Sequence, residues 1–346
     1  MTQRTVRERD IRTNRGSIRV RETEGGTTPV VMVHGNCSSS AFFARLLADL
    51  PEELYGIALD QRGFGDTEPL PIDATRGMGD LADDLAALLE VEGISQPIVL
   101  AHSAGAGVAM QLAITRPGLL GPLILEAPMS PYGFGGTKDV DGTPCWPDHA
   151  GSGGGTANPD FTAGIAAGDR SDDNPASPRN VFRAFYVAPS YHFEDEESLL
   201  DSLLSTRVGD EHYPGPALPS DNWPNVRPGA SGINNAISPA YFDVSGFADI
   251  DDRPPVTWIR GSEDLIVSDA SMLDLGNLGA LGAVPGWPGE DVYPAQPMVS
   301  QMRAVLDRYR GNGGSYDEVV LDGVGHSPHL EAPEQVLQAI LDAVRR

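Results

Sequence analysis

An apolar run that ends in a serine flanked by small side chains, Val99-Leu100-Ala101-His102-Ser103-Ala104-Gly105, can lift one hydroxyl clear of a strand end. A sharp strand-to-helix turn of this kind presents the serine oxygen as a nucleophile, and it needs small residues two before and two after, places filled by Ala101 and Gly105. An alcohol is inert near neutral pH unless a base takes its proton, and that base needs a third group to orient it. Of the seven histidines, His326 has the best context, in the glycine-rich loop Asp322-Gly323-Val324-Gly325-His326 between an apolar strand and the closing helix. His329 is its local competitor, but it lies nearer the helix, where packing suits it better. The orienting acid should follow a strand between the serine and the histidine. Asp264, in Gly261-Ser262-Glu263-Asp264, is the first choice, with Glu126 directly after Leu125 the alternative and Glu263 third. An oxyanion formed by attack needs two backbone N–H donors, and Ala104 and Asn36, in His34-Gly35-Asn36-Cys37, are placed to supply them. Cys37, His102 and Val267, adjoining these groups, are the expected pocket residues.

Such side chains have to be held at the ends of neighbouring strands. Apolar runs predict strands at Ile18–Glu22, Pro29–Val33, Leu54–Leu59, Pro97–Ala101, Leu120–Leu125, Val256–Arg260 and Glu318–Leu321. Helical spacing predicts helices at Met78–Val91, Val299–Tyr309 and Pro333–Val344. Apolar strands alternating with amphipathic helices imply a mostly parallel sheet covered on both faces. Between residues 129 and 250 the alternation lapses into turn-rich chain, with helical patches expected at Val181–Tyr186, after Ser177-Pro178, and at Glu197–Thr206.

Five motifs, His34-Gly35-Asn36, Asp60-Gln61-Arg62-Gly63-Phe64-Gly65, the Ser103 turn, Gly261-Ser262-Glu263-Asp264 and Gly325-His326, stand in the order and spacing of the α/β-hydrolase superfamily. Over residues 15–128 and 250–346 the chain resembles the esterase, epoxide-hydrolase and haloperoxidase-like branch. The resemblance implies an α/β-hydrolase fold, with residues 1–128 and 251–346 as its core and 129–250 as a cap. It implies a Ser103, Asp264, His326 triad, no cofactor, and hydrolysis of a carboxylic ester or lactone through an acyl-enzyme. Amide, thioester or carbon–carbon hydrolysis by the same triad, or a ligand receptor with little turnover, are the alternatives. The family's epoxide hydrolases and haloalkane dehalogenases place aspartate where this chain has Ser103, which argues against those activities. Ala101 replaces the usual glycine of the turn. Asp264 and His326 are widely separated, and Gly276–Pro297 reads as a second insertion beside the pocket. Aromatic residues of the cap, among them Phe182, Phe185, Tyr186, Tyr213 and Trp223, suit an apolar or aromatic small-molecule substrate, although most are expected in the cap's own core.

The 346 residues contain 49 acidic and 24 basic side chains, a formal net charge of -25, and Lys138 is the single lysine. That charge repels nucleic-acid backbones and anionic lipid surfaces, so neither is an expected partner. The bias suits a high-GC genome or a protein built for high salt. The polar, charged stretch Met1–Arg15 does not read as a signal peptide, and Pro97–Thr115 reads as strand, turn and helix rather than a membrane span, so a cytoplasmic location is expected. Cys37 and Cys145 are expected as free thiols. No metal is expected, since neither His-Glu-x-x-His nor paired cysteines occur, and His192–Glu197 reads as a solvated acidic face. No oligomeric state is assigned.

Overall fold

The computed structural model describes residues 4–346. Its centre is an eight-stranded sheet formed by β1 (Val6–Thr13), β2 (Gly16–Thr23), β3 (Thr28–Val33), β4 (Leu54–Leu59), β5 (Ile98–His102), β6 (Leu123–Glu126), β7 (Val256–Gly261) and β8 (Tyr316–Leu321), in the order β1-β2-β4-β3-β5-β6-β7-β8. The β1–β2 and β2–β4 pairs are antiparallel, and the remaining pairs are parallel. The helices of more than one turn used below are α1 (Ala44–Asp49), α2 (Gly79–Glu92), α3 (Ala104–Thr115), α4 (Pro159–Ala167), α5 (Glu196–Leu204), α6 (Met298–Gly311) and α7 (Pro333–Val344).

Period-two alternation explains why the inner strands read as unbroken apolar runs: both faces are covered. On one face Val31, Val33, Val99 and Ala101 pack with Leu85 and Leu88 of α2, Val108 and Leu112 of α3 and Leu306 of α6. On the other, Val30, Met32, Ile98 and Leu100 pack with Leu46 and Leu47 of α1 and Val336 and Ile340 of α7. The chain leaves β3 toward β4 on one side, then crosses to place β5 on the other. The carboxyl ends of β3 and β5 therefore flank a topological switch point, where open α/β sheets form a crevice.

Several elements differ from the sequence expectation, among them the short helices Ala44–Asp49 and Leu275–Ala280, which it lacked, and three whose causes can be read directly. Val6–Thr13 is a strand: only Ile11 and Thr13 are buried, which gives a weak signal, and this edge is stabilised on both faces by cross-strand pairs, Arg7–Glu22 at 2.7 Å on one and Arg19–Asp10 at 2.8 Å on the other. β6 starts at Leu123 rather than Leu120, because Pro122 has no N–H for the ladder and contributes only its carbonyl, which accepts from Val99 N–H at 2.9 Å. Helix α4 is additional. Asn158 caps it, Pro159 opens it and Gly168 closes it with φ 64°, signals present in a segment otherwise too rich in Ala and Gly to show a periodic face.

Between β6 and β7 the chain runs outside the sheet. There it forms α4, the turn Pro178–Val181 continuing into a π-turn at Phe182–Tyr186, α5, and short strand pairs such as Ala217–Pro219 with Val226–Pro228. The segment after β7 docks onto this region: Tyr293 donates its hydroxyl to the Gly151 carbonyl at 2.9 Å, and Trp223 Nε1 donates to the Pro285 carbonyl at 2.9 Å. Cys37 and Cys145 are both buried and free. Among the described residues no helix is long and apolar enough to cross a membrane.

Candidate active site

Ser103 follows β5 directly and takes φ 54°, a conformation that costs a non-glycine residue energy and turns the hydroxyl away from the sheet. The turn is held by Ser103 N–H donating to the Glu126 carbonyl at 2.8 Å. It is also tightly overlaid. A Cβ on Gly35 would lie 2.9 Å from Ser103 Cβ, and one on Gly105 would lie 2.5 Å from the carbonyl oxygens of Val33 and His34. Glycine at these positions is what lets the β3 loop and the start of α3 close around the serine.

The structure brings Ser103, His326 and Asp264 into one line. Ser103 Oγ and His326 Nε2 are 2.9 Å apart, and His326 Nδ1 and Asp264 Oδ2 are 2.9 Å apart. All three side chains are buried. The other Asp264 oxygen accepts the N–H groups of Ile266 and Val267 at 2.8 and 2.9 Å, so the carboxylate has one oxygen left for the histidine. Glu126 goes elsewhere: it pairs through Oε1 with His329 Nδ1 at 3.0 Å, leaving His329 in the packing position expected of it. Among the described residues the Glu263 carboxylate makes no hydrogen bond to the histidine; the Glu263 N–H donates to the Val324 carbonyl at 2.9 Å.

Around the serine, the N–H groups of Asn36 and Ala104 have no protein acceptor among the described residues. The Asn36 loop is fixed from behind by His34, whose Nε2 accepts Gln61 N–H at 2.9 Å while Gln61 Nε2 donates to the His34 carbonyl at 2.6 Å. Burial pushes His34 down to about 4, which keeps the ring neutral, with Nδ1 donating to the Gly35 carbonyl at 2.8 Å. Thus Gln61 of the Asp60-Gln61-Arg62 motif holds the loop, and Arg62 anchors that motif in turn through Asp84 at 2.6 and 2.7 Å.

A cavity of about 360 Å³ opens over Ser103 and is lined by Asn36, Cys37, Ala104, Val267 and His326 together with apolar side chains such as Met129, Phe134, Phe185 and Leu278. Burial raises the Cys37 thiol to about 12, so it stays protonated there. His102 does not belong to the lining, a correction to the expected pocket. Strand alternation turns it to the opposite side of the backbone from Ser103, where its Nε2 donates to the His326 carbonyl at 2.8 Å. Burial, then the neighbouring His326 and His329, hold His102 well below the ordinary imidazole range. Two contributors had no sequence signal of their own. Asn234 reaches the cavity from the single helical turn Ile233–Ala236, and Glu331 accepts Gly325 and Ser327 N–H groups and, at 2.7 Å, Ala188 N–H, tying the histidine loop to the chain between β6 and β7.

Comparison with known proteins places these features in context. The family model described as "Alpha/beta hydrolase family" matches residues 30–339. The 2-(acetamidomethylene)succinate hydrolase of Mesorhizobium japonicum is 24% identical over 283 residues, 80% of this chain and 86% of that protein. Other curated relatives align over much less of their length; proline iminopeptidase of Heyndrickxia coagulans is 28% identical over 120 residues, 34% of this chain and 41% of that protein. A solved esterase from Exiguobacterium antarcticum superposes with a TM-score of 0.60 at 16% identity, over 97% of this chain and 99% of that one, a likeness of fold.

Proposed function

Because this chain belongs to the alpha/beta hydrolase family, we propose that it is a serine hydrolase that cleaves small carboxylic esters or lactones without a cofactor. Ser103 Oγ attacks the scissile carbonyl as His326 Nε2 takes its proton. The oxyanion of the tetrahedral intermediate is held by the N–H groups of Asn36 and Ala104. Collapse breaks the bond to the alcohol, which leaves with the proton from His326, and Ser103 is left acylated. Water then repeats the sequence, giving its proton to His326 and releasing the acid. Asp264 keeps Nδ1 protonated and stabilises the imidazolium in both halves. The chain from 129 to 250 serves as the cap that roofs the cavity.

The observation that supports this most is the pair of 2.9 Å contacts joining Asp264, His326 and Ser103 beneath a cavity. The cavity also favours an uncharged substrate, since among the described residues no Lys, Arg, Asp or Glu lines it. A dianion of the kind named for the Mesorhizobium japonicum relative would lose hydration there without a cation to replace it, a cost of several kcal/mol per charge. Turnover of chromogenic esters beside matched amides and thioesters tests the reading. Ester hydrolysis should dominate and should fall by at least ~10³-fold in Ser103→Ala; preferential amide or thioester turnover would move the substrate class, and full ester turnover by Ser103→Ala would remove the mechanism.

A further inference from the structure

One short stretch of the chain between β6 and β7 touches both loops of the candidate site. Tyr186 ends the π-turn Phe182–Tyr186, and its hydroxyl donates to the Asn36 carbonyl at 3.2 Å. Burial, then the nearby Cys37 and Tyr213, holds that phenol well above its ordinary value, so it remains a neutral donor. Its ring stands edge-on to the His326 imidazole, with centroids 6.3 Å apart. The next two residues lie on the histidine loop, so closely that a Cβ on Gly325 would collide with the backbone of Val187 and Ala188. There Ala188 N–H donates to Glu331 Oε2 at 2.7 Å, and the same carboxylate accepts the N–H groups of Gly325 and Ser327, on either side of His326. Residues 186–188 therefore bridge the Asn36 loop and the His326 loop.

The carbonyl that Tyr186 engages belongs to the peptide between Asn36 and Cys37. Cys37 takes φ 49°, a left-handed conformation that costs a non-glycine residue energy and persists only where its surroundings fix it. The preceding peptide, which carries the Asn36 N–H, is held from the core through the Gly35 carbonyl, which accepts from His34 Nδ1 at 2.8 Å. Asn36 is thus fixed on one side by the core and on the other by Tyr186. We propose that Tyr186 is a positioning residue whose hydroxyl, anchored through Ala188 to the histidine loop, keeps the Asn36 N–H aimed at the oxyanion while His326 stays in line with Ser103. This rests on the serine-hydrolase reading. An oxyanion donor acts on charge that develops only in the transition state, so a shifted loop lowers kcat and leaves ground-state binding in place.

Tyr186→Phe removes one oxygen and keeps the ring, so the fold should survive. With the active fraction set by fluorophosphonate titration, kcat for p-nitrophenyl acetate and p-nitrophenyl butyrate should fall by ~10-fold or more, equally for both esters, with KM unchanged within about twofold. A trifluoromethyl ketone supplies a readout that loss of folded protein alone would not move. Ser103 Oγ adds to its carbonyl without a leaving group, passing the proton to His326 and forming a hemiketal oxyanion, so its inhibition constant should rise by a similar factor. Glu331→Gln, which keeps one acceptor oxygen for three N–H groups, loosens the other anchor and should raise the same constant; it decides the matter if Tyr186→Phe does not fold. An unchanged inhibition constant in either folded variant overturns the proposal. So does a Tyr186→Phe effect confined to KM or unequal between the two esters, which would make the hydroxyl a substrate contact. In each of those outcomes, labelling of wild-type Ser103 by the fluorophosphonate leaves the serine-hydrolase reading standing; no labelling and no turnover of either ester overturns both.

Discussion

Asp264 divides its carboxylate between two tasks, with Oδ1 capping the N–H groups of Ile266 and Val267 and Oδ2 facing His326 Nδ1. Asparagine at this position could keep the first task, but it could present an amide N–H toward Nδ1 and select the wrong histidine tautomer. Asp264→Asn is therefore expected to fold normally, by circular dichroism, while kcat/KM for an ester falls by ~10⁴-fold. Glu126→Gln is expected to retain most activity, since glutamine can still accept from His329. The reverse outcome would transfer the orienting role to Glu126. Sequence alone left these two acids as rivals because both follow parallel strands. Geometry separates them: Glu126 is the register partner of His102 and faces His329, whereas Asp264 lies beyond the end of β7 and reaches over to the His326 loop. Ser103 and His326 were legible from their small-residue surroundings. Asn234 was not, because its place in the cavity wall depends on a contact with a loop 198 residues away.

At the scale of the loop and strand, the β3 loop depends on a neutral His34. Its folded value of about 4 lies below the ordinary 6.5, so between these values the unfolded chain binds more protons than the folded one. Stability from this group is complete above about pH 6.5, falls as pH drops toward 4, and amounts to on the order of 3 kcal/mol. Urea unfolding followed from pH 7 to pH 4 should show a steeper loss in the wild type than in His34→Gln, which cannot titrate; equal slopes would contradict this role. The inner strands were legible because both of their faces are buried and their apolar runs are short and bounded. α7 was legible to the residue, with Pro333 at its start and apolar residues on one face. β1 and α4 were missed for opposite reasons, one because charged cross-strand pairs replace an apolar pattern, the other because small residues erase one.

The whole molecule has a charge of -25 and many exposed arginine–carboxylate pairs. Such pairs contribute at most ~1 kcal/mol each, and salt weakens them, but it also relieves the larger excess of like charge. The melting midpoint is expected to rise from low salt to molar sodium chloride, and a steady fall would contradict the dominance of net repulsion. Fold class was legible at this scale because alternating strands and helices admit few architectures. The packing of the chain between β6 and β7 was not. It is fixed by contacts between distant irregular segments, such as Trp223 against Tyr293 with ring centroids 4.9 Å apart, which leave no periodic trace.

The central claim is that Ser103 is the acylated nucleophile. Intact mass spectrometry of the whole chain after treatment with a fluorophosphonate, with peptide mapping, tests it most directly. One adduct per chain located on Ser103, and none on a folded Ser103→Ala variant, is the expected result; an adduct on another residue, or none on the active native protein, would contradict it.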